Sequence, residues 1–173
     1  MEDHYIAGFV DGEGSFHVAF QRSIDVRTGW QAIPEFHVSQ HVSSRDVLEA
    51  IRERLGCGII KANHRGSRSD RTHVLVVRNR QDLSTSVIPF FERYSLHTQK
   101  KSDFELFRQV VEMMNQEMHL STDGFARIVE LGYAMNANGS RRRVPREGIL
   151  RTLKSSETIR QRSAGPIVPM TKI

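Results

Sequence analysis

The segment YIAGFVDGEGSF, residues 5–16, constrains the fold of this chain more than any other stretch. It starts as an apolar helix, yet it contains three glycines and two acids: Gly8, Gly12, Gly14, Asp11 and Glu13. Glycine within a helix costs about 1 kcal/mol relative to alanine, and acidic side chains are unfavourable at the negative C-terminal end of a helix. The structure around this helix must therefore compensate for both penalties.

The spacing of the glycines predicts what compensates. Gly8 and Gly12 are four residues apart, so they share one helix face that carries no side chains. The same helix of a second copy is the simplest partner for such a face, and the chain's own sheet is the alternative. Paired helices would bring two Glu13 carboxylates and several backbone carbonyls together, and such hard oxygen ligands suit Mg²⁺. We therefore expect a homodimer that pairs this helix through its glycine face, with a metal site at the two Glu13 residues.

Hydrophobic periodicity predicts an α+β fold. The expected helices cover 4–12, 43–56, 82–96 (bent or split at Pro89), 101–114 and 124–135, and the expected strands cover 15–24, 33–40, 57–65 and 72–79. The order is αββαββα with additional C-terminal helices. It predicts a four-stranded antiparallel sheet with helices on one face, which leaves the other face bare. We divide the chain into a core at 1–140 and a basic extension at 141–173.

Charge is concentrated in two segments. Residues 141–173 contain nine Lys and Arg against two acids, and residues 61–80 contain six against one. Solvated surface is the ordinary explanation for one such run, but two runs rich in arginine favour a polyanionic partner.

The remaining composition indicates where in the cell the protein is expected to work. A single cysteine, Cys57, excludes an intrachain disulfide and a cysteine zinc cage. With no signal peptide and no apolar run of membrane-spanning length, we expect no membrane association and an intracellular location, in a bacterial cytoplasm or an organelle. The eight histidines show no metal-ligand spacing.

The segment IAGFVDGEG, residues 6–14, resembles the nine-residue motif of the LAGLIDADG homing endonucleases, with Glu13 in place of the final Asp. The order of elements extends the resemblance over residues 4–135, with a single copy of the motif. The resemblance implies a homodimer that meets at Ala7, Gly8 and Asp11 and lays its curved sheet in the major groove of a long, nearly palindromic DNA site. It also implies Mg²⁺-dependent cleavage of both strands across the minor groove, with 3′ overhangs.

The resemblance also implies roles for single residues. Glu13 and the carbonyl of Gly12 match the metal ligands, and Gln40 matches the residue that orients water. Lys100 matches the active-site lysine, with Lys101 as the alternative. Asp11 matches the structural acid of the motif. The family's basic residue shortly after the glutamine is represented by Ser44 followed by Arg45, and the choice between them stays open.

Contacts with double-stranded DNA are expected from the bare sheet face, its loops and the extension. The expected residues are His17, Gln21, Gln31, Glu35, His37, Lys61, Asn63, Arg65, Arg68, Asp70, Arg71, His73, Arg141, Arg142 and Arg143. We expect Arg146 to follow the phosphate backbone as well. The competing explanation for the extension is a short helix that docks on the core through Ile149, Leu150 and Leu153, and the two are compatible.

Two alternatives use the same fold for another function. One is a maturase that binds intron RNA, and the other is a DNA-binding protein that has lost catalysis. The presence of an acid, a glutamine and a lysine at the three matched positions argues against the second alternative. The target sequence, the host gene and the organism do not follow from the sequence.

Overall fold

The computed structural model describes residues 1–63, 71–138 and 144–153. The helices are α1 (Asp3–Glu13), α2 (Arg45–Leu55), α3 (Arg80–Asp82), α4 (Ile88–Arg93), α5 (Lys100–Asn115), α6 (Thr122–Asn138) and α7 (146–153), with 3₁₀ turns at Val42–Ser44 and Met118–Leu120. The strands are β1 (Gly14–Arg22), β2 (Trp30–His41), β3 (Ile59–Ala62) and β4 (Thr72–Val77). They form one antiparallel sheet in the order β1-β2-β4-β3. The predicted α+β fold is confirmed.

Alternation along the two long strands builds the core. Phe16 and Val18 of β1 and Phe36 and Val38 of β2 are fully buried on one face of the sheet. The rings of Phe16 and Phe36 stack with centroids 5.1 Å apart, and Phe91 of α4 packs edge-on against Phe16 at 5.4 Å. Burying each such side chain contributes about 1.5–3 kcal/mol. The helices therefore cover this face, and the opposite face stays open.

The helical segment 80–93 differs from the expected helix broken at Pro89. A π-helical turn, Leu83–Val87, links α3 to α4, and Pro89 lies in the first turn of α4. Proline is tolerated there because the amide hydrogens of a first turn lack helical acceptors. The chain consequently stays helical through this segment.

The backbone of Gly14 lies very close to Val10 where α1 ends and β1 begins. A Cβ atom at Gly14 would lie 2.8 Å from the carbonyl oxygen of Val10 and 2.5 Å from its side chain. Only glycine fits here without displacing backbone. Glu13, the last residue of α1, is thereby held directly at the start of the sheet.

The described part of the C-terminal segment packs on the core. Ile149 and Leu153 of α7 are 0% and 2% exposed, and Leu150 is partly buried. The hydroxyl of Tyr133 in α6 donates a hydrogen bond to the carbonyl of Val144 just before α7. The expected docking of a short helix is confirmed, so residues beyond position 140 contribute to the core. In the described residues, no helix has the length and apolarity to cross a membrane.

Candidate active site and open sheet face

The C-terminal end of α1 presents oxygen atoms to solvent. Gly12 and Glu13 are both exposed, and within the described residues the Glu13 carboxylate has no hydrogen bond or ion pair. The last carbonyls of a helix lack intrahelical donors. The Glu13 carboxylate and the neighbouring backbone carbonyl of Gly12 therefore form an oxygen-rich position that could hold a hard cation.

Asp11, one turn earlier, has a different role. Its carboxylate accepts hydrogen bonds from the backbone N–H of His97 at 2.9 Å, from the backbone N–H of Thr98 at 3.1 Å and from the Thr98 hydroxyl at 2.7 Å. Partial burial raises the pKa of Asp11, but these hydrogen bonds outweigh it and hold the pKa below the ordinary value. Asp11 thus ties α1 to the turn that precedes α5.

The same turn directs one of the two candidate lysines to the α1–β1 junction. The Lys100 ammonium group donates to the carbonyl of Gly14, next to Glu13. Lys101 is exposed and borders a depression with Phe91 and Glu92 on another surface. The fold therefore brings Lys100, and not Lys101, to the end of α1.

Gln40 lies at the end of β2 on the helix-covered side of the sheet. Val38, two residues earlier, pairs with Gly14, so Gln40 extends past the start of β1 toward the end of α1. Its side chain is half-buried. The register thus assembles Glu13, Lys100 and Gln40 from three elements around one junction.

Arg45, one of the two candidates for the family's basic residue, is already engaged. It donates to the Glu49 carboxylate at 3.0 and 3.1 Å, and its Nη1 lies 3.2 Å from Nδ1 of His73. Ser44 precedes α2 at the N-cap position without capping it through its side chain.

The glycine face of α1 is open within the subunit. A Cβ atom at Gly8 or Gly12 would lie more than 4 Å from every described residue outside its own helix, so close packing on the chain's own sheet, the alternative considered from the sequence, is wrong. Tyr5 on the same side of the helix is 54% exposed. Ala7 is only 5% exposed, so its side chain belongs to the subunit's own core.

The open sheet face carries most of the polar residues expected there. Adjacent strands pair His17 with Glu35 and Gln21 with Gln31. His37 continues the same face of β2, and Lys61 of β3 pairs with Val74 of β4. Asn63 is exposed just beyond β3. Because Val74 and Val76 share this face, apolar side chains interrupt its polar surface.

His73 does not lie on the open sheet face, where the sequence analysis expected it. Strand register pairs it with Gln40 and Ala62, which places it on the helix-covered face beside Arg45 rather than on the open face. Arg71 is exposed just before β4. The predicted contacts Arg65, Arg68, Asp70, Arg141, Arg142 and Arg143 lie outside the described residues. Arg146 forms ion pairs at 3.0 Å with Glu130 and Glu147.

Glu35 is the centre of a cluster that the sequence did not predict. Its side chain is 5% exposed, and Oε2 lies 3.0 Å from Nε2 of His17 and 2.9 Å from Nε2 of His37. Oε1 pairs with the guanidinium of Arg78. Burial raises the pKa of Glu35, but the two imidazoles outweigh it and hold the pKa far below the ordinary value. The structure thus brings His17, Glu35 and His37 together as a possible ligand group, which the spacing of the histidines in the sequence did not indicate.

Comparison with known proteins identifies the family. Residues 6–111 match the family model described as LAGLIDADG endonuclease. A relative from Neurospora crassa, "Probable intron-encoded endonuclease 3", is 33% identical over 130 residues, which is 75% of this chain and 24% of that protein. "DNA endonuclease I-CeuI" of Chlamydomonas moewusii is 34% identical over 118 residues, 66% of this chain and 53% of that protein. The chain thus spans about a quarter to a half of these two curated relatives.

Solved structures agree. The homing endonuclease I-TnaI has 36% identity and a TM-score of 0.77, with 90% of this chain and 98% of that chain covered. The archaeal intron-encoded homing endonuclease I-Vdi141I, complexed with DNA, has 31% identity and a TM-score of 0.80, covering 90% and 96%. I-SmaMI was solved on an uncleaved DNA target in the presence of calcium ions; it has 30% identity and a TM-score of 0.74, covering 79% and 45%. On the motif, the topology and these similarities, the chain belongs to the LAGLIDADG endonuclease family.

Proposed function

We propose that this protein is a homing endonuclease that makes Mg²⁺-dependent double-strand breaks in a long, nearly palindromic DNA site, with 3′ overhangs. One observation carries the proposal: Glu13, an acid without an ion pair among the described residues, ends α1, and the Lys100 ammonium contacts the carbonyl of the next residue, Gly14, at one end of a sheet with an open polar face. The relatives named above are endonucleases, which favours DNA cleavage over RNA splicing or silent DNA binding. Binding of intron RNA and an intracellular location stay predictions.

The donor set at the end of α1 fits Mg²⁺. A carboxylate and a backbone carbonyl are hard oxygen ligands, and Mg²⁺ characteristically takes one or two carboxylates and fills its other positions with water and phosphate. Glu13 would supply the carboxylate and Gly12 the carbonyl. The bound ion would activate a water molecule and stabilise the leaving 3′ oxygen.

The protein's own groups would then position the reactants. The Lys100 ammonium, held at the Gly14 carbonyl, would donate to a phosphate oxygen and offset the negative charge that develops there. The Gln40 amide, at the end of β2, would orient the attacking water. Asp11 would act indirectly, because its bonds to residues 97 and 98 fix the turn before Lys100.

DNA recognition would occur on the open face of the sheet, which a major groove can accommodate. Gln21 and Gln31 are paired, exposed amides near one end of this face. A bidentate amide contact to adenine discriminates by about 1–3 kcal/mol per base pair. Gln21→Ala should relax the preference at one position of each half-site. A uniform loss of affinity over all sequences would instead make it a phosphate contact.

A homodimer would complete the site, because one motif supplies one acid. The exposed stripe of Tyr5, Gly8 and Gly12 supports pairing of α1 with α1 in a second copy, since none of the described residues occupies the space above the two glycines. Gly8→Leu should block the approach and give a monomer in light scattering. Gly148→Leu, at another helical glycine with open space, is the matched control and should stay dimeric. A dimeric Gly8→Leu protein would contradict this arrangement.

Cleavage itself tests the function. A plasmid carrying the joined genomic flanks of the gene is incubated with the protein, with Mg²⁺ or with a chelator. We expect linear product only with Mg²⁺. Glu13→Gln preserves shape while removing the charge the cation needs, so it should keep DNA binding in a mobility-shift assay but slow cleavage about 10²-fold or more. Undiminished cleavage by this variant would remove Glu13 from the mechanism.

A further inference from the structure

The cluster of His17, Glu35 and His37 on the open sheet face has the geometry of a metal site separate from Glu13. The two imidazole Nε2 atoms lie 3.0 and 2.9 Å from Glu35 Oε2, and the three ligand atoms all lie within 4.8 Å of one another. Zinc bonds of about 2.0–2.2 Å place neighbouring ligand atoms roughly 3–3.5 Å apart. The protein therefore already holds each imidazole nitrogen close to ligand spacing from the carboxylate oxygen.

Hydrogen bonding within the cluster is incomplete. His37 Nε2 is buried, and in the described part of the chain it makes no hydrogen bond of acceptable angle, although it lies only 2.9 Å from Glu35 Oε2. A buried polar atom that makes no hydrogen bond is unfavourable. A cation between the two imidazoles and the carboxylate would satisfy this nitrogen, and coordination requires no donor hydrogen.

Arg78 orients the carboxylate for this purpose. Its guanidinium pairs with Oε1 of Glu35, while Oε2 faces the two imidazoles. Outer partners that fix the orientation of a ligand are typical of protein metal sites. The positive charge of Arg78 opposes a second cation, but its side chain is 54% exposed, so solvent and salt screen that repulsion.

We propose that His17, Glu35 and His37 bind a zinc-class divalent ion. Two imidazole nitrogens and one carboxylate oxygen suit Zn²⁺ or Co²⁺, whereas Mg²⁺ and Ca²⁺ prefer all-oxygen sites. Three protein ligands leave a fourth position open, on the face of the sheet away from the helices. The binding of this ion does not depend on the proposed cleavage activity.

Cobalt spectroscopy tests the site without DNA. We expect chelator-treated protein to bind one Co²⁺ per chain, with the visible absorption of four-coordinate Co²⁺, and Zn²⁺ to displace it. His17→Gln and His37→Gln should each weaken the affinity at least about tenfold. His41→Gln, at the exposed end of the same strand, and Glu13→Gln should bind like the wild type.

Circular dichroism of each variant checks that the fold is intact, and two independent histidine variants guard against a single unfolded protein. Absence of stoichiometric Co²⁺ binding by the wild type overturns the proposal. So does wild-type affinity in both folded histidine variants, which would place the ion elsewhere. Loss of Co²⁺ binding in Glu13→Gln alone would likewise overturn it by assigning the ion to the α1 site.

Discussion

Replacing Asp11 by asparagine should destabilise the protein through the link between α1 and the turn before α5. Both carboxylate oxygens accept hydrogen bonds: Oδ1 from the Thr98 hydroxyl at 2.7 Å and Oδ2 from the His97 backbone N–H at 2.9 Å. Asparagine keeps one acceptor, but its NH₂ group must face an N–H donor. A hydrogen bond to a charged group contributes about 1.5–3 kcal/mol, and exposure lowers this. We expect the free energy of unfolding to fall by about 1–3 kcal/mol.

Urea denaturation followed by circular dichroism measures this loss. Asp25→Asn is the matched control, because Asp25 is an exposed acid in the turn between β1 and β2, where surface substitutions change stability by less than about 0.5 kcal/mol. All proteins are compared at one concentration, since dimerisation would make stability concentration-dependent. Equal losses in the two variants would refute the role assigned to Asp11.

The same substitution should also affect catalysis, because Asp11 is connected to Lys100. The Lys100 backbone N–H donates to the Thr98 hydroxyl at 3.2 Å, and that hydroxyl donates to Asp11. A continuous path therefore joins Asp11 to the residue whose ammonium lies at Gly14. Single-turnover cleavage by Asp11→Asn, measured where the variant is fully folded, should be slower than wild type. An unchanged rate would make Asp11 a purely stabilising residue.

Two further substitutions test the catalytic and structural assignments. Lys100→Met should slow cleavage about 10²–10³-fold in single-turnover assays. Lys101→Met, on another surface, should cleave within about threefold of the wild-type rate. The reverse order of the two rates would exchange the roles of the lysines. Ile149→Ala should lower the free energy of unfolding by about 2–5 kcal/mol, because Ile149 is fully buried. The control Ile24→Ala, at a fully exposed side chain, should lower it by less than about 0.5 kcal/mol. A similar small loss for both would mean that α7 does not pack on the core in solution.

Periodicity was sufficient to predict the sheet where one face is apolar. In β1 the alternation of Phe16 and Val18 with His17 defines both faces, and the structure follows it. The segment THVLVV of β4 is apolar on both faces, so alternation assigns no side to His73. Its face is decided by pairing with Gln40 across the sheet, a long-range contact that the local sequence does not encode.

The hydrogen-bond partners of Asp11 could not be predicted from the local sequence either. The motif marks it as an acid at a helix end, where it is unfavourable, but its compensation comes from backbone N–H groups of residues 97 and 98, in a turn that is distant in sequence. Backbone donors leave no compositional signal. The resemblance suggested a structural role for this acid, and only the tertiary fold identifies its partners.

The cluster around Glu35 depends on strand register more than on composition. Alternation predicts that His17, Glu35 and His37 share a face, but their contact requires that His17 pair directly with Glu35, and a one-residue slip would move one of these strands to the other face. The same register pairs Phe36 with Val77 at the end of β4, and Arg78, the next residue, contacts Glu35. Glu35 is 5% exposed, and its two oxygens face His17, His37 and Arg78. Because these four side chains form one connected network, we predict that their substitutions are non-additive in DNA affinity.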